Sequence, residues 1–212
     1  MDTDMEPVLP VKAIAFDCFG TLAQIQAPSQ AYRNLIKLMP THFQPPARRA
    51  VMANAWTFPE TIQQLGVCLP EDDLEGQLRM LQDELASIAL FPETLTVLRE
   101  LRQRGYKLAL CSNLALPFAA PIEALLGPLL DVKIWSFEVQ CIKPEGAIYQ
   151  KLCEALALPA EDVLMVGDSL ASDYTGARAA GLHARHLTRD TPHQRMGRTR
   201  IRSLDDVLRL VK

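Results

Sequence analysis

The sequence is short of aromatic residues, 6% of 212, and so offers little surface on which nucleic-acid bases could stack. It also lacks an excess of positive charge. Its 22 Lys and Arg stand against 25 Asp and Glu, a formal net charge of −3, so no nucleic-acid partner is expected. No apolar run reaches the length that spans a bilayer, so no membrane partner is expected either. The opening MDTDMEP is acidic and lacks the basic-then-apolar pattern of a signal peptide. Cysteines are few: five, at positions 18, 68, 111, 141 and 153, with no CxxC pair. That number and scatter argue against a disulfide framework or a zinc site and suit small buried hydrophobes. Together these absences lead to the expectation of a cytoplasmic protein.

What is present is a chain 49% hydrophobic and 22% charged. It can bury a sizeable core in one domain of ordinary size, with room for a small second one. The stretch Val11–Leu22, VKAIAFDCFGTL, organises the rest. Apart from Lys12 it opens too uniformly apolar for a strand with one wet face, which predicts a buried strand of a parallel sheet over Val11–Phe16. Residues 1–10 read as a loose arm.

From Ala23 to Leu90 no continuous apolar strand is visible, and helical runs are predicted over 30–39, 47–64 and 72–89. In the last run Leu74, Leu78, Leu81, Leu85 and Ile88 form one apolar helical face. Residues 23–90 therefore read as a small helical module inserted after the first strand. Beyond it strands are expected at 106–111, 132–137, 163–166 and 183–187, alternating with helices at 94–104, 116–127, 144–156 and 172–180. A polar loop follows over 188–200, and a closing helix over 205–211. This alternation predicts an α/β fold with a doubly wound, mostly parallel, Rossmann-like sheet and an all-helical cap. The core takes residues 1–22 and 91–212, and the cap takes 23–90.

In such sheets the site lies beyond the carboxyl ends of the strands. That rule gathers Asp17, Ser112-Asn113, Lys143 and Asp168 at one edge, with Asp173 five residues after Asp168. Each also suits a bland role taken singly: a turn or cap for Asp17, Ser112, Asn113, Asp168 and Asp173, and a solvated amine for Lys143. Three carboxylates in one crevice would raise each other's pKa unless positive charge sat among them. Lys143 supplies some, and Mg²⁺, which takes oxygen ligands, can supply the rest.

DxFGTL at Asp17–Leu22, SN at Ser112-Asn113, KP at Lys143-Pro144 and GDSxxxDxxGA at Gly167–Ala177 resemble the four motifs of the haloacid dehalogenase-like hydrolase superfamily. The insertion resembles the helical cap that many members carry. The resemblance implies Asp17 as nucleophile, with Ser112 and Lys143 as its catalytic partners. It implies Mg²⁺ held by Asp17, the Phe19 carbonyl, Asp168 and Asp173. Thr21 and Asn113 are then assigned to substrate binding, with Tyr149, which resembles a residue of the superfamily's dehalogenases, and Arg48, which could fork onto a substrate carboxylate or stand as a surface Arg beside Arg49. The implied reaction is hydrolysis of a small phosphorylated molecule, a phosphomonoester, through an aspartyl-phosphate intermediate, by a monomer or homodimer.

One position departs from the pattern. Phosphatases of this superfamily carry a second Asp two residues after the nucleophile as general acid and base, and here that residue is Phe19. The loss predicts a slow phosphatase, since such catalysis is worth roughly 10²–10⁴ in rate. An aromatic at this place also resembles the metal-independent 2-haloacid dehalogenases, whose halide needs no proton. Asp168 argues against that alternative. A nearly inactive member that binds a ligand or a protein is the third reading.

Overall fold

The computed structural model describes residues 9–189 and 199–212. The arm expected at 1–10 falls mostly outside them, as do residues 190–198 of the expected polar loop.

The first strand, β1 (Ala13–Phe16), is fully buried. Its side chains alternate between two cores: Ile14 and Phe16 face one, Ala13 and Ala15 the other. That is the period-two geometry of a strand covered on both faces, and it explains why the stretch is uniformly apolar. Next come β2 (Ala23–Ile25), then α1 (Ala31–Lys37), α2 (Gln44–Ala53), α3 (Phe58–Leu65) and α4 (Glu71–Ala86). β3 (Ile88–Leu90), α5 (Thr94–Gln103), β4 (Lys107–Ser112), α6 (Ala119–Leu126), β5 (Val132–Trp135), α7 (Ser136–Val139) and α8 (Gly146–Leu156) follow. β6 (Val163–Gly167) leads into π-helical turns over Leu170–Gly176 and into α9 (Ala177–Ala179). β7 (His183–Leu187), β8 (Arg200–Ile201) and α10 (Val207–Leu210) close the chain.

The main sheet has the order β5-β4-β1-β6-β7-β8, and its pairings are parallel. The chain leaves β1 to build one side through β4 and β5, then crosses back to build the other through β6 and β7. The order therefore reverses at β1, and the crevice beyond its carboxyl end is where such sheets bind ligands. The mixed α/β fold with a parallel core and a helical cap is as expected.

Between β2 and β3 the helices pack around Ala31, Leu35, Phe58 and Leu81. Leu74, Leu78 and Leu85 of α4 join them, the apolar face visible in the sequence. Four local expectations are corrected. The segment 23–90 does hold strand: β2 pairs antiparallel with β3, Ala23 opposite Leu90, and three-residue strands are too short to leave a periodic signal. For the same reason the helix expected over 72–89 stops at Ala86. The helix expected over 47–64 is two helices, because Thr57 and Glu60 form a reciprocal capping box that starts α3 afresh. The strand expected over 132–137 gives way to helix at Ser136. Among the described residues no helix is long and apolar enough to cross a membrane.

Candidate active site

β1 delivers Asp17 to the carboxyl edge of the sheet, where the Asp17 N–H donates to the Val166 carbonyl of β6 at 2.9 Å. β4 ends in Ser112, whose hydroxyl lies 3.3 Å from Asp17 Oδ1. Lys143 precedes α8 and is buried. Its Nζ lies 2.7 Å from Asp17 Oδ1 and 2.6 Å from Asp173 Oδ1. Asp173, also buried, accepts a further bond from the Ser169 N–H at 3.0 Å. One oxygen each of Asp17, Asp168 and Asp173 can be chosen so that all lie within 4.8 Å of one another.

The electrostatics follow from three carboxylates sharing one ammonium. Burial pulls the Lys143 pKa down, but Asp17 and Asp173 outweigh it and hold the amine protonated. At Asp173 burial raises the pKa, Lys143 lowers it and Asp17 raises it again, leaving it at about 6. Asp168, exposed, is also raised, first by partial burial and then by Asp17. One positive charge for three negative ones leaves an excess that a divalent cation would neutralise. The donors are all carboxylate oxygens, the set a hard cation such as Mg²⁺ takes. Cys18, beside Asp17, is no rival nucleophile, because burial and then the Asp17 charge push its thiol pKa up.

Asn113 reaches the site, but its side chain serves Lys143. Its Nδ2 donates to the Lys143 carbonyl at 2.8 Å and its Oδ1 accepts the Lys143 N–H at 2.8 Å. Tyr149 is buried in the core around α8 and donates its hydroxyl to the Ser172 carbonyl. It is not among the side chains that line the cavity beneath the cap. Thr21 is fully buried, and its hydroxyl has no partner among the described residues.

A cavity of about 470 Å³ lies under the cap, lined by Phe19 and Asn113 from the core and by Arg48 and Val51 from α2. Phe19 meets Phe118 edge to face with ring centroids 5.7 Å apart. Arg48 thus lies on the cavity wall, while its neighbour Arg49 forks onto Glu145 at 2.7 and 3.1 Å. Ser136 adds a second tie from core to cap, donating to the Met52 carbonyl at 2.6 Å.

Sequence reasoning missed Arg189, just beyond β7. Its guanidinium donates to the Gly20 carbonyl at 3.3 Å and the Thr21 carbonyl at 2.7 Å. It also pairs with Glu93 at 2.5 Å and lies 3.7 Å over the Phe91 ring. It thereby joins the loop carrying Asp17 and Phe19 to the segment returning from the cap. Two of its partners are backbone carbonyls, which carry no sequence signature. In the sequence Arg189 opens a basic run, Arg189–Arg202, that does not single it out.

Comparison with known proteins bears on the family and the fold. Phosphoglycolate phosphatase of Rhodospirillum rubrum is 33% identical over 131 residues, 56% of this chain and 52% of that protein. The chain spans about half the length or less of the curated relatives it matches. The HAD phosphatase structure from Thermococcus onnurineus superposes with a TM-score of 0.65 at 22% identity, covering 93% of this chain and 96% of that one. L-2-haloacid dehalogenase from Xanthobacter autotrophicus gives 0.61 at 18%, covering 94% and 98%. At such identities these two likenesses speak to the fold alone. The haloacid dehalogenase-like hydrolase family model matches residues 11–181, most of the chain and all four motifs, and the protein belongs to that family.

Proposed function

We propose that this chain is a Mg²⁺-dependent phosphomonoesterase that works through an aspartyl-phosphate at Asp17. Residues 1–22 and 91–212 would form its catalytic core and 23–90 its cap. The observation that carries this reading is the cluster of Asp17, Asp168 and Asp173, whose ion-pair partner among the described residues is the Lys143 ammonium. Asp17, Asp168 and Asp173, with the Phe19 carbonyl, would hold the ion. Mg²⁺ bound there would supply positive charge against the phosphate. Asp17 attacks phosphorus while Lys143 fixes one of its oxygens and leaves the other free. The Ser112 hydroxyl, 3.3 Å from that fixed oxygen, can turn to the transferred phosphoryl group. Asn113 acts through Lys143 by holding its backbone. With Phe19 where an acid would stand, the leaving group receives no proton from that position, and turnover is slow.

The test is an assay of phosphomonoesters with Mg²⁺ and with EDTA. Hydrolysis should fall to background with EDTA and with Asp17→Asn. Phosphatase activity that survives both would sink the proposal. A second reading, dehalogenation of a small 2-haloacid, draws on Phe19 and on Arg48 in the cavity wall, which could fork onto a carboxylate. Halide release indifferent to EDTA would establish it instead.

Gly20 supplies an independent check on the ion. Its φ is +83°, and a Cβ there would lie 2.2 Å from Asp168 Oδ2. Gly20→Ala must therefore push the Asp168 carboxylate aside, besides straining the backbone by about 1–2 kcal/mol. Mg²⁺ affinity measured by calorimetry should drop tenfold or more. Unchanged affinity would remove Asp168 from the ligand set.

A further inference from the structure

The cavity beneath the cap is mostly apolar, with Arg33, Arg48, Glu84 and Asn113 as polar groups in its wall, and Phe19 and Asn113 bring it next to Asp17 and Ser112 along the chain. Phe19, Ile36, Val51, Leu114 and Phe118 are among its walls. Phe118 bridges Phe19 to Tyr32, 5.7 and 6.2 Å between ring centroids, so aromatic rings run from the catalytic loop into the cap. The volume matters as well. A 2-haloacid fills only roughly 100 Å³, about three times the 30 Å³ share of a liquid water. A cavity of about 470 Å³ would be left mostly empty or wet by it, and apolar walls favour neither. Against the apolar part of these walls, sugar hydroxyls would lose hydration.

We propose that the substrates are phosphomonoesters of apolar alcohols of low basicity, phenols or enols, whose rings or chains fill this cavity. The proposal rests on the phosphoesterase reading above. An Asp17 oxygen bonds to phosphorus as the bond from phosphorus to the ester oxygen breaks. The electron pair leaves on that oxygen as an aryloxide or enolate. Water then attacks the aspartyl-phosphate, the bond to Asp17 breaks, and the proton shed by the water neutralises the departed anion. Phe19 cannot protonate the ester oxygen, so the anion must be stable by itself. A phenol ionises with a pKa of about 10, whereas an aliphatic alcohol is a far weaker acid, close to water. That gap lets the first class leave unaided and holds back the second.

The experiment compares kcat and KM at saturating Mg²⁺ for 4-nitrophenyl, phenyl, benzyl and glycerol phosphates. Phenyl phosphate should exceed glycerol phosphate by about 10³ in kcat/KM, given what a missing acid costs an unstable leaving group. Benzyl phosphate, apolar but with an aliphatic oxygen, should keep the KM of phenyl phosphate and lose its kcat. Glycerol phosphate turned over within tenfold of phenyl phosphate would overturn the proposal. Binding to Asp17→Asn protein provides a second arm that needs no turnover. Phenylphosphonate should bind at least tenfold tighter than methylphosphonate by calorimetry, and equal affinities would also overturn the proposal. A tenfold binding preference with no ester hydrolysed would overturn the phosphoesterase reading and leave the apolar preference of the cavity standing.

Discussion

Lys143→Met should abolish hydrolysis and also destabilise the protein by about 3–5 kcal/mol, the usual cost of removing one partner from a buried ion pair. The reason is geometric. One buried Nζ contacts Asp17 at 2.7 Å and Asp173 at 2.6 Å, so its loss strands two carboxylates at once. For a chain of this length the melting temperature should fall by about 10 °C. The loss should depend on pH. In the metal-free wild type, Asp173 is raised from its ordinary value to about 6. A carboxyl raised on folding contributes stability that is fully present below its unfolded pKa and is lost as pH rises through the folded one. The contribution of Asp173 therefore fades between about pH 4 and pH 6. Without the ammonium its pKa climbs further, so Lys143→Met should lose more stability at pH 7.5 than at pH 5. Adding Asp173→Asn should recover part of the loss at the higher pH. Thermal melts at both pH values check this. An equal loss at both would mean that the cost comes from packing rather than from stranded charge.

Phe19→Asp should raise phosphatase turnover by about 10²-fold, the lower end of what a placed acid and base provides. The new carboxyl would sit against Phe118 and the apolar cavity. Such surroundings disfavour the charged form and raise its pKa, which suits a group that must first donate a proton. The change forfeits the edge-to-face contact, worth about 0.5–1.5 kcal/mol, so a modest fall in melting temperature should accompany the gain. The largest gains should fall on aliphatic esters, whose leaving oxygen most needs a proton. No gain, with the carboxylate seen to face the cavity, would show that proton transfer is not what limits this scaffold.

The core was legible because burial on both faces of a parallel sheet demands unbroken apolar strands. Val11–Phe16 and Val163–Val166 carry that demand openly in the sequence. The convergence of Asp17, Ser112, Lys143 and Asp168 was legible for a related reason, since polar residues at or just beyond the ends of apolar strands share one edge of such a sheet. What was hidden depends on which way a side chain turns. Asn113 spends its carboxamide on the Lys143 backbone, and Tyr149 turns into the core to cap the Ser172 carbonyl. Neither choice leaves a pattern in residue types. β2 and β3 were hidden by brevity, and Arg189 by having carbonyls for partners.

Arg189 and the short β2–β3 ladder have a consequence for how this protein can be altered. Leu22 O accepts from both the Phe91 N–H and the Thr94 hydroxyl. The two ends of the helical insertion are thus zipped together and fastened by one guanidinium on Gly20, Thr21 and Glu93. Closure of the intervening chain is secured at its neck, and loop-closure entropy grows only slowly with the length beyond. Seen from the sheet, everything between β2 and β3 is a side branch on a fixed stem. The branch also rests on the sheet domain through Arg49 on Glu145 and Ser136 on Met52, so a replacement that keeps those ties and the neck should leave Asp17 in place.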